Sequence, residues 1–117
     1  MQMSGTPLFR HASRNLESVQ AEIAQEKAAA LGRMAARLQD ALARLEEFER
    51  SPPPAEEAAA ERKRLAAAAG EALWYYVVQR EACGMRDVEA VLREFRVPRE
   101  VYLRMGLAST PRAGGTP

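Results

Sequence analysis

The sequence predicts an all-α protein: a long antiparallel helical hairpin followed by two short C-terminal helices. Three observations carry this. From Ser13 to Arg50 there is no proline, and Gly32 is the only glycine. The larger apolar residues there recur mostly every three or four positions, the spacing of one helix face. Ser51-Pro-Pro-Pro54 then interrupts, and a second proline-free stretch runs to Gly84.

The first helix is expected over 13–50. Ser13 or Asn15 can cap its free amides. Its apolar face reads Leu16, Val19, Ile23, Leu31, Met34, Leu38, Leu42, Leu45 and Phe48. Ile23, Met34 and Leu45 are spaced by eleven, near the period of an undistorted helix, so little supercoiling is expected. At 1.5 Å per residue it would be about 55 Å long. Proline cannot continue a helix interior, so Pro52–Pro54 must end it.

The second helix belongs within 52–83. Glu56 and Glu57 fall in its first turn, where the helix dipole favours anions. Its apolar face runs through Ala58, Leu65, Ala69, Ala72, Leu73, Tyr76, Val77 and Cys83, and Gly84 suits the left-handed stop. So short a connection joins antiparallel neighbours. A turn near Pro52–Pro53 sets Leu45 against Ala59, Leu38 against Ala66 and Leu31 against Leu73. Gly32 and Gly70 would then meet at the helix crossing.

Helices over 87–95 and 98–105 complete one domain, 13–106. Asp87 can cap the first, whose inner face is Val88, Val91, Leu92 and Phe95. Pro98 suits the first position of the second, Gly106 its end, and Val101, Met105 and Tyr102 face inward. These helices are expected beside Leu16, Val19, Ile23 and the Trp74–Tyr76 cluster, with Trp74 at the junction. Residues 1–12 and 107–117 are expected to be disordered, the latter for its Gly, Pro and small polar content.

Composition excludes more than it indicates. The 117 residues carry net charge +1, with aromatics at only 6% and alanine abundant, so a monomeric core would be thin. Basic and acidic residues number seven and seven over 1–50, four and five over 51–84, and six and four over 85–117. No basic stripe for phosphates results, and no nucleic-acid partner is expected. The longest uninterrupted apolar run, Ala72 to Val78, is too short to span a bilayer, and no membrane association is expected. Cys83 is the single cysteine, which suits a reducing compartment, and the N-terminus lacks a secretory apolar run; a cytoplasmic location is expected.

No catalytic, metal or cofactor site emerges, and none is expected. Cys83 and His11 are the one possible thiol–imidazole pair, but a histidine in a disordered segment cannot act as a positioned base. One His and one Cys cannot close a zinc site without carboxylate help. Glu46, Glu47 and Glu49 form a run rather than an inward-facing pair. The polar group Gln79, Arg80, Glu81, Arg86 and Asp87 follows the most apolar stretch. It reads either as an ion-pair network holding the last two helices or as a small anion pocket built on Arg80 and Arg86. The network is the commoner arrangement. Residues 88–105 also have the outline of a helix-turn-helix, with Arg99, Tyr102 and Arg104 toward a groove; a short second helix and Glu100 argue against it.

The block Trp74-Tyr-Tyr-Val-Val-Gln-Arg-Glu-Ala-Cys-Gly-Met-Arg-Asp87, with Phe95-Arg-Val-Pro98 and Arg104-Met-Gly106, resembles a family of small uncharacterised bacterial helical proteins. The resemblance covers the C-terminal third. It implies a helical fold and brings no activity, cofactor or catalytic residue.

The expectation for function is a non-enzymatic helical module that self-associates as a homodimer or contacts another protein. Two antiparallel helices bury one stripe each, and Tyr75 and Leu42 point off the seam. A second copy would complete a four-helix bundle. Trp74, Tyr75, Tyr76, Leu31, Met34 and Leu38 are the candidate core or interface residues.

Overall fold

The computed structural model describes the backbone of residues 7–109 and the side chains of 12–105. It contains α1 (Pro7–Arg50), α2 (Ala55–Ala82), α3 (Val88–Glu94) and α4 (Arg99–Ser109), with no strand among the described residues. Residues 1–6 and 110–117, where part of the expected disorder was placed, lie outside the described residues.

α1 begins six residues before Ser13, so 7–12 are helical rather than disordered. Proline is well suited to a first helical position, where its missing N–H would have no partner anyway, and nothing between Pro7 and Ser13 breaks the helix. At 44 residues, α1 is about 66 Å long. The Ser51 amide bonds to the Glu47 carbonyl, and the prolines follow. Pro54 opens α2 with its carbonyl, which accepts from Glu57 and Ala58. Gly84 has φ +86°, and the Gly84 and Met85 amides reach back to Glu81 and Arg80 at 2.9 Å, a Schellman stop. The Asp87 carboxylate caps α3 by accepting from the Ala90 amide. α3 closes the same way as α2, with Val97 bonded to Leu92, but its left-handed residue is Arg96 at φ 53°. Pro98 sits one position before α4, its carbonyl accepting from Val101 and Tyr102. Gly106 does not end α4. The helix continues past it to Ser109, the last described residue.

The hairpin register agrees with the sequence expectation: Gln79 Nε2 donates to the Lys27 carbonyl at 3.4 Å, placing the end of α2 beside the middle of α1. Leu38, Leu45, Ala69, Ala72, Leu73, Tyr76, Val77, Val91 and Val101 form the core. Leu31 and Met34 pack against it.

The short helices reach Tyr76, as expected, but not Leu16, Val19 and Ile23. After Gly84 the chain turns back along the hairpin. Phe95 meets Tyr76 with ring centroids 5.2 Å apart, Pro98 reaches the Leu42–Glu49 part of α1, and Glu100 pairs with Arg62. α4 then returns along α2, pressing Arg104 onto Gly70. Leu42 is therefore partly covered within the chain, while Leu16, Val19 and Ile23 stay exposed. Gly32 has no neighbour near its Cα, so the crossing expected at Gly32 and Gly70 is instead Gly70 against α4. A Cβ at Gly70 would lie 3.1 Å from the Arg104 backbone carbon.

α2 is consequently the central helix, packed on α1 along one side and α4 along another, which is why its apolar residues run around most of its circumference. The molecule is a rod, 81 × 37 × 21 Å. Its radius of gyration is 21.3 Å, against about 13 Å for a compact chain of this length.

Candidate interaction surface

The polar group near the end of α2 does not assemble into a pocket. Gln79 bonds to α1, the Arg80 guanidinium lies over the Tyr76 ring at 5.8 Å, and Asp87 caps α3. Glu81 and Arg86 are exposed, and no described polar or charged side chain is buried. Among the described residues Arg80 and Arg86 share no ion pair. Cys83 lies beside the Lys27 carbonyl of α1, with Sγ at 4.0 Å. The His11 side chain, its proposed base, lies outside the described residues. Among the described residues no three His, Cys, Asp or Glu side chains gather where a metal could be held.

An ion-pair node does exist, and sequence reading missed it. Arg62 on α2 reaches Glu49 on α1 at 2.6 Å and Glu100 on α4 at 2.9 Å. Its Nε also donates to both Glu100 oxygens. The bonds to Glu100, then Glu49, hold the guanidinium above its ordinary pKa. The node ties three helices on a partly exposed edge, where an ion pair mainly fixes register. Glu49 stood in a run of carboxylates read only as not being an inward-facing pair, and Glu100 is 38 residues from Arg62. No local spacing links them. Gly70 was marked as a close approach but toward Gly32 and not α4, although Ala66, Ala69 and Gly70 form a small-residue face where another helix can approach closely.

The aromatic triplet divides as three consecutive helix positions must. Tyr76 is in the core, Trp74 is half-buried, and Tyr75 is exposed with Arg37 stacked over its ring at 5.4 Å. Trp74 meets Tyr75 edge-on, with centroids 5.3 Å apart. Trp74 therefore lies outside the buried core.

The first half of α1 carries exposed apolar side chains in a row. Every residue from 12 to 29 is exposed. Leu16, Val19 and Ile23 lie there at 59%, 49% and 50% exposure, on the same face as Met34, Leu38 and Leu45. The stripe that packs on α2 thus continues beyond the end of α2 as a bare arm. At its base is a groove of about 500 Å³ lined by Ile23, Lys27, Leu31, Ala82, Cys83 and Met85. A larger groove of about 940 Å³ runs between α1 and α2 near the turn, floored by Phe48 and Leu65. Charged side chains rim it, among them Arg44, Glu47 and the Arg64–Glu61 pair. No described helix is long and apolar enough to cross a membrane.

Fold and surface together define an all-helical rod with one bare amphipathic arm. The chain belongs to DUF6665, a family of unknown function whose model matches residues 11–113. The match takes in the arm and hairpin as well as the C-terminal third to which the sequence resemblance was confined. No curated protein and no solved structure matches the chain.

Proposed function

We propose that this protein is a non-enzymatic helical module, acting in the cytoplasm, that self-associates as a homodimer. The observation that carries the reading is the bare stripe of Leu16, Val19 and Ile23. Helices in proteins draw most of their stability from packing an amphipathic face, and an unpacked stripe in water forgoes it. Exposed contiguous apolar surface on a small protein marks an interaction site more often than an accident.

Magnitudes set the expected strength. Fully burying a Leu, Val or Ile contributes about 1.5–3 kcal/mol. Two copies of three half-exposed side chains give roughly 5–9 kcal/mol, against about 4–15 kcal/mol for lost translational and rotational freedom. The surplus is at most about 5 kcal/mol, so the dimer should dissociate at sub-millimolar concentration or weaker.

Light scattering across a concentration series tests this. The mass should rise with concentration toward twice the 12.9 kDa of one chain. A constant monomer mass up to about 1 mM, an affinity of only about 4 kcal/mol, would overturn the proposal. Tight binding to duplex DNA that falls steeply with salt and is lost in Arg99→Ala would replace it with the helix-turn-helix reading.

A further inference from the structure

We draw no further inference here: the strongest candidate, the groove between α1 and α2 near the turn, floored by Phe48 and Leu65, carries nothing because its rim charges Arg44, Glu47 and Glu61 pair within the chain and nothing in the structure shows what covers it.

Discussion

Leu38 and Ile23 stand on the same face of the same helix, yet Leu38 is 0% exposed and Ile23 50%. Fifteen residues of α1 separate a fully buried site from a half-exposed one. Their local sequences are alike: Ala-rich, charged on the outer face, apolar every third or fourth position. The difference lies in what is opposite. α2 and the returning α3–α4 segment cover the second half of α1, and nothing within the described chain covers the first. Helical periodicity marks which side of a helix seeks cover and is silent on whether cover comes from the same chain.

The largest expected effect separates the two halves directly. Leu38→Ala empties a fully buried site and should cost about 2–5 kcal/mol in urea melts. Ile23→Ala, measured at concentrations where the protein is monomeric, should stay within about 0.5 kcal/mol, as for ordinary surface changes. Equal losses would mean that the arm is packed in the monomer, and the contrast would collapse.

The glycines sharpen the same comparison. Gly70→Ala places a methyl 3.1 Å from Arg104 backbone and Cβ atoms. A helix backbone cannot yield locally, so α4 as a whole must shift and disturb buried Val101. The loss should be about 1–3 kcal/mol, enough to outweigh the roughly 1 kcal/mol that alanine adds as a helix former. Gly32 meets nothing within 4 Å, so Gly32→Ala should raise stability by up to about 1 kcal/mol. Opposite signs in thermal melts confirm that α4, and not α1, makes the close approach.

A smaller gain is expected where α3 ends. Arg96 holds φ 53°, a conformation that glycine adopts without steric cost. Arg96→Gly should add about 0.5 kcal/mol, the relief of strain less the extra entropy of glycine in the unfolded chain. The smallest effect should come from Arg62→Gln, which cuts the ion pairs to Glu49 and Glu100. The melting midpoint should fall slightly, and by less in high salt, since the groups are partly exposed and screened. An unchanged midpoint at low salt would show that the node contributes register alone.

Reading the chain for itself recovered the elements and the hairpin. Pro52–Pro54, Gly84, Asp87 and the apolar spacing act over a few residues, through backbone stereochemistry and side-chain period, so they are legible one segment at a time. The register followed too, because a four-residue connection leaves two long helices little freedom to slide. The sequence also marked Val91, Val101, Leu38 and Tyr76 as inward. It misjudged Tyr102, which is exposed, and Leu42, which is partly covered.

The direction in which α3 and α4 travel was decided only by the tertiary structure. It depends on the angle of the Gly84 turn and on which flank of α2 offers a surface that another backbone can approach. Ala66, Ala69 and Gly70 supply that surface, and the pairing of Arg62 with Glu100 is compatible with it. These contacts span tens of residues, so no local pattern announces them. The same folding-back leaves Leu16, Val19 and Ile23 bare. Amphipathicity was thus written in the sequence, and the vacancy beside it arose from three-dimensional packing, because a helix that covers the middle of α1 cannot also cover its end.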